Sequence, residues 1–196
     1  MKKEALEKMR KIAYAKKFCD TLLELNVDYQ WCIKHPEVLG CEMSKQYYKR
    51  YETYIGHDYS ICKNLLLQER KGEHRILLII VDDTKNIDLK ELQKRFHTTK
   101  LEFLKQDLMK ELLQTVPGNV SVFHVLFDKK NQIEVYIDEE LLQEKLLAFH
   151  PLYNGMSIFL SPENVLSFLN QINHSYSIEQ IPEKVKTLQY SKDLSA

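Results

Sequence analysis

Lys63-Asn64-Leu65-Leu66-Leu67-Gln68-Glu69-Arg70-Lys71-Gly72-Glu73-His74-Arg75-Ile76-Leu77-Leu78-Ile79-Ile80-Val81 is the stretch on which the fold turns. Two apolar runs, Lys63 to Gln68 and Arg75 to Val81, flank the charged pentapeptide Glu69 to Glu73, which carries a glycine. That pattern predicts two strands joined as a hairpin. Ile76 to Val81 is the longest apolar run in the chain. It has strand length, far short of the ~20 residues a membrane span needs.

Working outward toward the C-terminus, Asp88 is expected to cap a helix to about Phe96, with Leu89, Leu92 and Phe96 on one face. Leu101 to Leu104 reads as a short strand, and a helix from Gln106 to Leu113 stops before the turn dipeptide Pro117-Gly118. Ser121 to Phe127 and Gln132 to Ile137 read as a second hairpin around Asp128-Lys129-Lys130-Asn131. Met156 to Leu160 is a further strand, Ser161-Pro162-Glu163 opens a helix to about Ile172, and Ser175 to Ile178 is the last strand. Toward the N-terminus, Ala5, Met9, Ile12, Ala15, Cys19, Leu22 and Leu23 recur at helical spacing, so 3–25 is read as an amphipathic helix capped by Asn26. Val27 to Ile33 is read as a strand ended by His35-Pro36. Ser44 is expected to cap a helix through about Tyr54, whose stripe of Tyr47, Tyr48, Tyr51 and Tyr54 is assigned to core and rim packing.

Hairpins mixed with helices define an α+β domain with a single mixed sheet and flanking helices, not a repeating βαβ wheel. No Gly/Ser/Pro-rich linker divides it. The expected organisation is one domain over 18–181, a basic helical extension over 1–17 continuing into it, and a loosely ordered tail over 182–196. A chain of 196 residues builds its core without staples, so Cys19, Cys32, Cys41 and Cys62 are expected as reduced thiols in a cytoplasmic protein. The charged N-terminus is not a signal peptide. Twenty-eight basic residues cancel 28 acidic ones, which excludes nucleic-acid binding by bulk attraction and leaves only local patches. Lys2, Lys3, Lys8, Arg10, Lys11, Lys16 and Lys17 make one; Lys45, Lys49 and Arg50 make another.

No phosphate loop, dinucleotide fingerprint, nucleophile elbow or H-E-x-x-H is present. Cys32-x-x-His35 is half a metal site with no second pair, so no structural metal is expected, and no cofactor. His57, His74, His97, His124 and His174 are read as packed or solvated. Lys63, at the mouth of an apolar strand, is either an anion or oxyanion holder or an edge-strand guard, and the residues alone leave both open. With Asn64, Pro117-Gly118 and His150-Pro151-Leu152-Tyr153-Asn154 it makes a set that binds polar groups and contains no obvious nucleophile.

From about Phe18 to Ile181 the chain resembles the prolyl-tRNA-synthetase-associated, YbaK-like aminoacyl-tRNA deacylases. The resemblance is carried by Val27-Asp28-Tyr29, His35-Pro36, Lys63-Asn64-Leu65-Leu66-Leu67, Ile87-Asp88-Leu89-Lys90-Glu91-Leu92, Pro117-Gly118-Asn119-Val120-Ser121 and Phe149-His150-Pro151-Leu152-Tyr153-Asn154, in that order. It implies a YbaK-like editing domain that hydrolyses the ester of mischarged tRNA(Pro), alanyl-tRNA(Pro) above all. Such a second sieve is needed because a methylene gives a synthetase only ~1–3 kcal/mol of discrimination. The resemblance further implies Lys63, Gly118 and His150 as catalytic residues and Asn64, Asn119 and Asn154 as substrate-binding ones. The attacking water is then assisted by the substrate's own ribose hydroxyl. The implied partners are aminoacylated tRNA(Pro) and prolyl-tRNA synthetase, in trans or as a fused chain, with no membrane.

The chain departs from the family pattern at three places. Val122 stands where a proline is common, Gly40 where a threonine is common, and Gly155 where a small hydroxylated residue often follows the pocket asparagine. These departures bear on amino-acid selectivity and on activity itself. The alternative function is a catalytically weak or inactive domain that binds RNA or a synthetase.

Overall fold

The computed structural model describes residues 2–38 and 40–184, with side chains from Glu4 onward. Its helices are α1 (Lys2–Glu24), α2 (Cys41–Tyr48), α3 (Glu52–Ile55), α4 (Leu89–Arg95), α5 (Gln106–Leu113) and α6 (Pro162–Gln171). Its strands are β1 (Trp31–Lys34), β2 (Ser60–Glu69), β3 (Ile76–Asp82), β4 (Leu101–Phe103), β5 (Ile133–Asp138), β6 (Leu147–Phe149), β7 (Met156–Leu160) and β8 (Tyr176–Glu179). The expected hairpin is the spine: β2 and β3 pair antiparallel, Lys63 facing Val81 and Gln68 facing Ile76. Leu66, Leu78 and Ile80 enter one core, while Leu67, Leu77, Ile79 and Val81 enter another on the opposite face with Leu92 and Phe96. Burial on both faces is why the run is uniformly apolar and not alternating.

One mixed sheet results, in the order β1-β7-β6-β2-β3-β5-β8. β5 and β8 extend it in parallel from β3, while β7 and β1 extend it antiparallel from β6. The free edge of β2 is shared: β6 pairs with Ser60 and Ile61, and β4 pairs with Leu67 to Glu69. Between them, over Cys62 to Leu66, that edge has no strand partner among the described residues. This fork opens a gap in the sheet, and the candidate site lies there.

Several sequence expectations are corrected. Ser121 to Ile137 is not a hairpin: Val122–Phe127 is a 3-10 helix, and β5 runs parallel to β3. Val122, Phe123 and Val125 are all buried, and a short run with no apolar period does not separate strand from helix. Val27 to Gln30 is loop, with only Trp31 onward in β1. Ser44 does not cap its helix, which starts at Cys41 after Gly40; the segment then passes through a 3-10 turn, Lys49–Tyr51, into α3. Of the tyrosine stripe, Tyr48 is core and Tyr54 is exposed. The three-residue β6 carried no sequence signal.

Caps behave as read elsewhere. Asp88 accepts from the Lys90 and Glu91 amides, and Ser161 from Asn164 with Pro162 in the first turn. Asn26 adopts the left-handed conformation that ends α1. That helix is continuous across residues 17 and 18. Its buried face starts near Ile12 and Ala15, and Leu6 and Met9 are exposed. Phe18 packs against Phe123 and Phe168, ring centres 5.1 and 6.1 Å apart. Of the expected loose tail, Pro182 to Lys184 lies against residues 86–88, with Glu183 bridged to Ile87; the remainder lies outside the described residues. No described helix is long and apolar enough to cross a membrane.

Candidate active site

A cleft of about 730 Å³ fills the gap beside β2, and Lys63, Asn64, Gly118 and His150 all line it. Three segments far apart in sequence thus meet, because β2 carries the first two residues, the turn after α5 the third and the end of β6 the fourth. Gly40, Cys41, Lys45 and Asp83 complete the mouth.

Lys63 is held from behind. Its Nζ donates to the Lys85 carbonyl at 2.6 Å and to the Asp83 carbonyl at 3.2 Å. An ammonium has three N–H groups, so one remains for a ligand in the cleft. The strap that supplies those carbonyls is itself anchored. The Lys85 ammonium, buried, lies 2.6 Å from Asp138 and 3.0 Å from Glu140, and Asp138 Oδ1 accepts the Ile181 amide at 3.2 Å. At its other end Asp83 is paired with Lys45 at 2.7 Å. Nothing in a polar strand end announces which other strand end it will meet, so Lys85, Asp138 and Asp83 carry no sequence signal for this place in the site.

Gly118 has φ of +81°, a left-handed conformation that suits glycine, and its N–H has no partner among the described residues. The following turn is fixed by a capping box: Ser121 Oγ accepts the Phe123 amide, and His124 Nδ1 accepts the Ser121 N–H at 3.1 Å. The same Nδ1 lies 3.3 Å from the Ser121 carbonyl, and burial pushes the His124 imidazole down to about 4. Val122, in place of the family's proline, opens this 3-10 helix and is fully buried.

His150 Nδ1 donates to the Met156 carbonyl at 3.0 Å, which leaves Nε2 as an acceptor. Burial pushes its pKa down to about 4, with His35 close by adding to the effect, so it is neutral at pH 7. His35 is occupied. Its Nδ1 donates to the Pro36 carbonyl at 2.7 Å, and its Nε2 accepts from Ser157 Oγ at 2.8 Å, which in turn accepts from Tyr48 at 2.6 Å. Among the described residues no group of three side chains is arranged to hold a metal ion.

The two other asparagines do not join the cleft lining. Asn119 Nδ2 donates to Thr115 Oγ1 and to the Leu152 carbonyl, both at 3.1 Å, tying the Gly118 turn to the segment after His150. Asn154 Nδ2 donates to the Val38 carbonyl at 2.7 Å, and its own carbonyl accepts the Val38 amide. Both act on walls, one step from the space itself. Asn64 Nδ2 donates to the Cys62 carbonyl at 3.2 Å, and its buried Oδ1 has no partner among the described residues. Two thiols, Cys41 and Cys62, also line the cleft. Burial pushes Cys41 up to about 11 and Cys62 well above the ordinary thiol value, so neither supplies a thiolate at neutral pH.

The sheet is thus forked around a lysine-centred cleft that holds hydrogen-bond donors, a neutral imidazole and two protonated thiols. The sequence model of the aminoacyl-tRNA editing domain matches residues 49–168, and the chain belongs to that family. It is 38% identical over 105 residues to the prolyl-tRNA editing protein ProX of Acetoanaerobium sticklandii, a match that spans 54% of this chain and 63% of that protein. It is 26% identical over 156 residues to the prolyl-tRNA synthetase associated domain-containing protein 1 of Danio rerio, covering 79% and 80% of the two chains. A crystal structure described as a candidate trans-editing enzyme for prolyl-tRNA synthetase superposes with a TM-score of 0.62 at 16% identity, over 87% of this chain and 98% of that one. The fold is the YbaK-like editing fold.

Proposed function

We propose that this chain is an aminoacyl-tRNA deacylase acting on mischarged tRNA(Pro), with alanyl-tRNA(Pro) as its substrate. The observation that carries the reading is the Lys63 ammonium, fixed by two backbone carbonyls in a cleft also lined by Gly118, whose N–H has no partner among the described residues. The free ammonium proton and that amide are donors for the oxygen of an ester carbonyl, on which charge grows as the tetrahedral intermediate forms. Neutral His150 Nε2 accepts a hydrogen bond from the attacking water or from the vicinal ribose hydroxyl, and so orients it. With Cys41 and Cys62 protonated, attack by water without an acyl-enzyme is the route the side chains leave open. Prolyl-tRNA synthetase, in trans or fused, is the proposed partner, and the cytoplasm the proposed location.

The test is deacylation across a panel of mischarged transfer RNAs. Alanine is expected to be released from alanyl-tRNA(Pro), with Lys63→Ala abolishing release while the transfer RNA still binds. Hydrolysis unchanged in Lys63→Ala would overturn the role of the lysine; no hydrolysis of any member of the panel would overturn the enzyme.

A further inference from the structure

Outside the lining of the cleft, α1 and the edge strand β1 set two cysteines side by side. Cys19 on α1 and Cys32 on β1 have their sulfurs 3.7 Å apart. Both are free thiols, Cys19 buried and Cys32 half-buried. The sulfurs need to approach by only about 1.7 Å to reach bonding distance. We propose that Cys19 and Cys32 form a reversible oxidation site, converted to a disulfide by a low-molecular-weight disulfide such as oxidised glutathione.

The two thiols are unequal. The hydrogen bond between the two sulfurs, in which either can donate, holds Cys32 below the ordinary thiol value, with the Lys16 ammonium adding to this against burial. Cys19 is raised, first by that same hydrogen bond and then by burial. Cys32, the more exposed of the two, meets the reagent first and attacks as its thiolate, with buried Cys19 as the resolving thiol, whereas burial shifts Cys41 and Cys62 away from reactivity. In the first step Cys32 S⁻ attacks one sulfur of the reagent, whose S–S bond breaks, and the departing thiolate takes a proton from water. In the second, Cys19 loses its proton and attacks the Cys32 sulfur of the mixed disulfide, expelling the second reagent thiol. Two protein thiols are oxidised and one reagent disulfide is reduced to two thiols. The product staples α1, with its exposed Lys11, Lys16 and Lys17, to the edge strand that leads into His35.

The experiment is intact-mass analysis of the full chain after incubation with oxidised glutathione and alkylation. Against the identically alkylated reduced chain, the expected product carries two fewer alkyl groups and is about 2 Da lighter besides, reverts with reductant, melts several degrees higher, and yields a peptide pair joining Cys19 to Cys32. Cys19→Ser is expected to retain a glutathione adduct at Cys32. A chain of unchanged mass, a wild-type product that stops at the glutathione adduct, or a link to Cys41 or Cys62 would overturn the proposal. The wild-type measurement decides without the variant. It is also independent of deacylation, so failure of the proposed activity leaves it intact.

Discussion

Gly155 has no room for a side chain. A Cβ there would lie 2.5 Å from the Tyr153 ring, which packs on Ala15 of α1 and donates its hydroxyl to Glu37 at 3.1 Å. The departure at this position therefore belongs to the docking of the N-terminal helix and not to the cleft. Gly155→Ala should cost ~1–3 kcal/mol in denaturant unfolding, as overpacking does. In a double-mutant cycle with Tyr153→Ala the two changes should couple, because removing the ring removes the clash. Asp138 is the other residue whose loss is informative. Asp138→Asn leaves the Lys85 ammonium buried beside an uncharged amide, with only the more exposed Glu140 to answer it. The expected loss of stability is ~3–5 kcal/mol. Joint replacement, Lys85→Met with Asp138→Leu, should recover much of that in the same unfolding measurement.

The 3-10 helix Val122–Phe127 shows where an element's identity escapes its composition. Ser-Val-Phe-His-Val-Leu-Phe is rich in strand formers, yet Ser121 Oγ takes the Phe123 amide and His124 Nδ1 the Ser121 amide, and the segment turns into a helix. Ser121→Ala should lower stability by ~1 kcal/mol, the usual cost of a lost cap, read from the unfolding midpoint. Ser121 is extended, with φ of −139° and ψ of 155°, the conformation preferred before proline, and residue 122 stands at the helix's first position. Val122→Pro should accordingly melt no lower than the parent. The β2–β3 hairpin, α4, α5, β7 and α6 were legible because their periods, caps and turn residues are local. The cleft was legible only at its chemically distinctive members: a lysine before three leucines, a Pro-Gly turn, a histidine before proline. Lys85 and Asp138 were not, because they meet through the parallel pairing of β3 with β5, and that pairing has no local cue. Asn119 and Asn154 had the right address but face the wrong way, since an amide serves a carbonyl wall as well as a ligand.

At the scale of the whole molecule, buried neutral imidazoles tie stability to pH. His124 and His150 are each pushed down to about 4, below the ~6.5 of an unfolded histidine, so between these values the unfolded chain binds more protons. Stability should be fully present above about pH 6.5 and fall as pH drops toward about 4. Equilibrium unfolding at stepped pH checks this, with His124→Gln expected to flatten the slope. The sheet order has a consequence of another kind, in time. Among the described residues β1 pairs with β7 alone, Trp31 opposite Phe159, so the first strand made must wait for nearly the last. Contacts that span so much chain close slowly. Trp31 is the chain's single tryptophan, and it sits in that waiting strand. Its fluorescence is therefore a clock for the closing of the sheet, and in refolding it should reach its native value after the hairpin's circular dichroism has already returned.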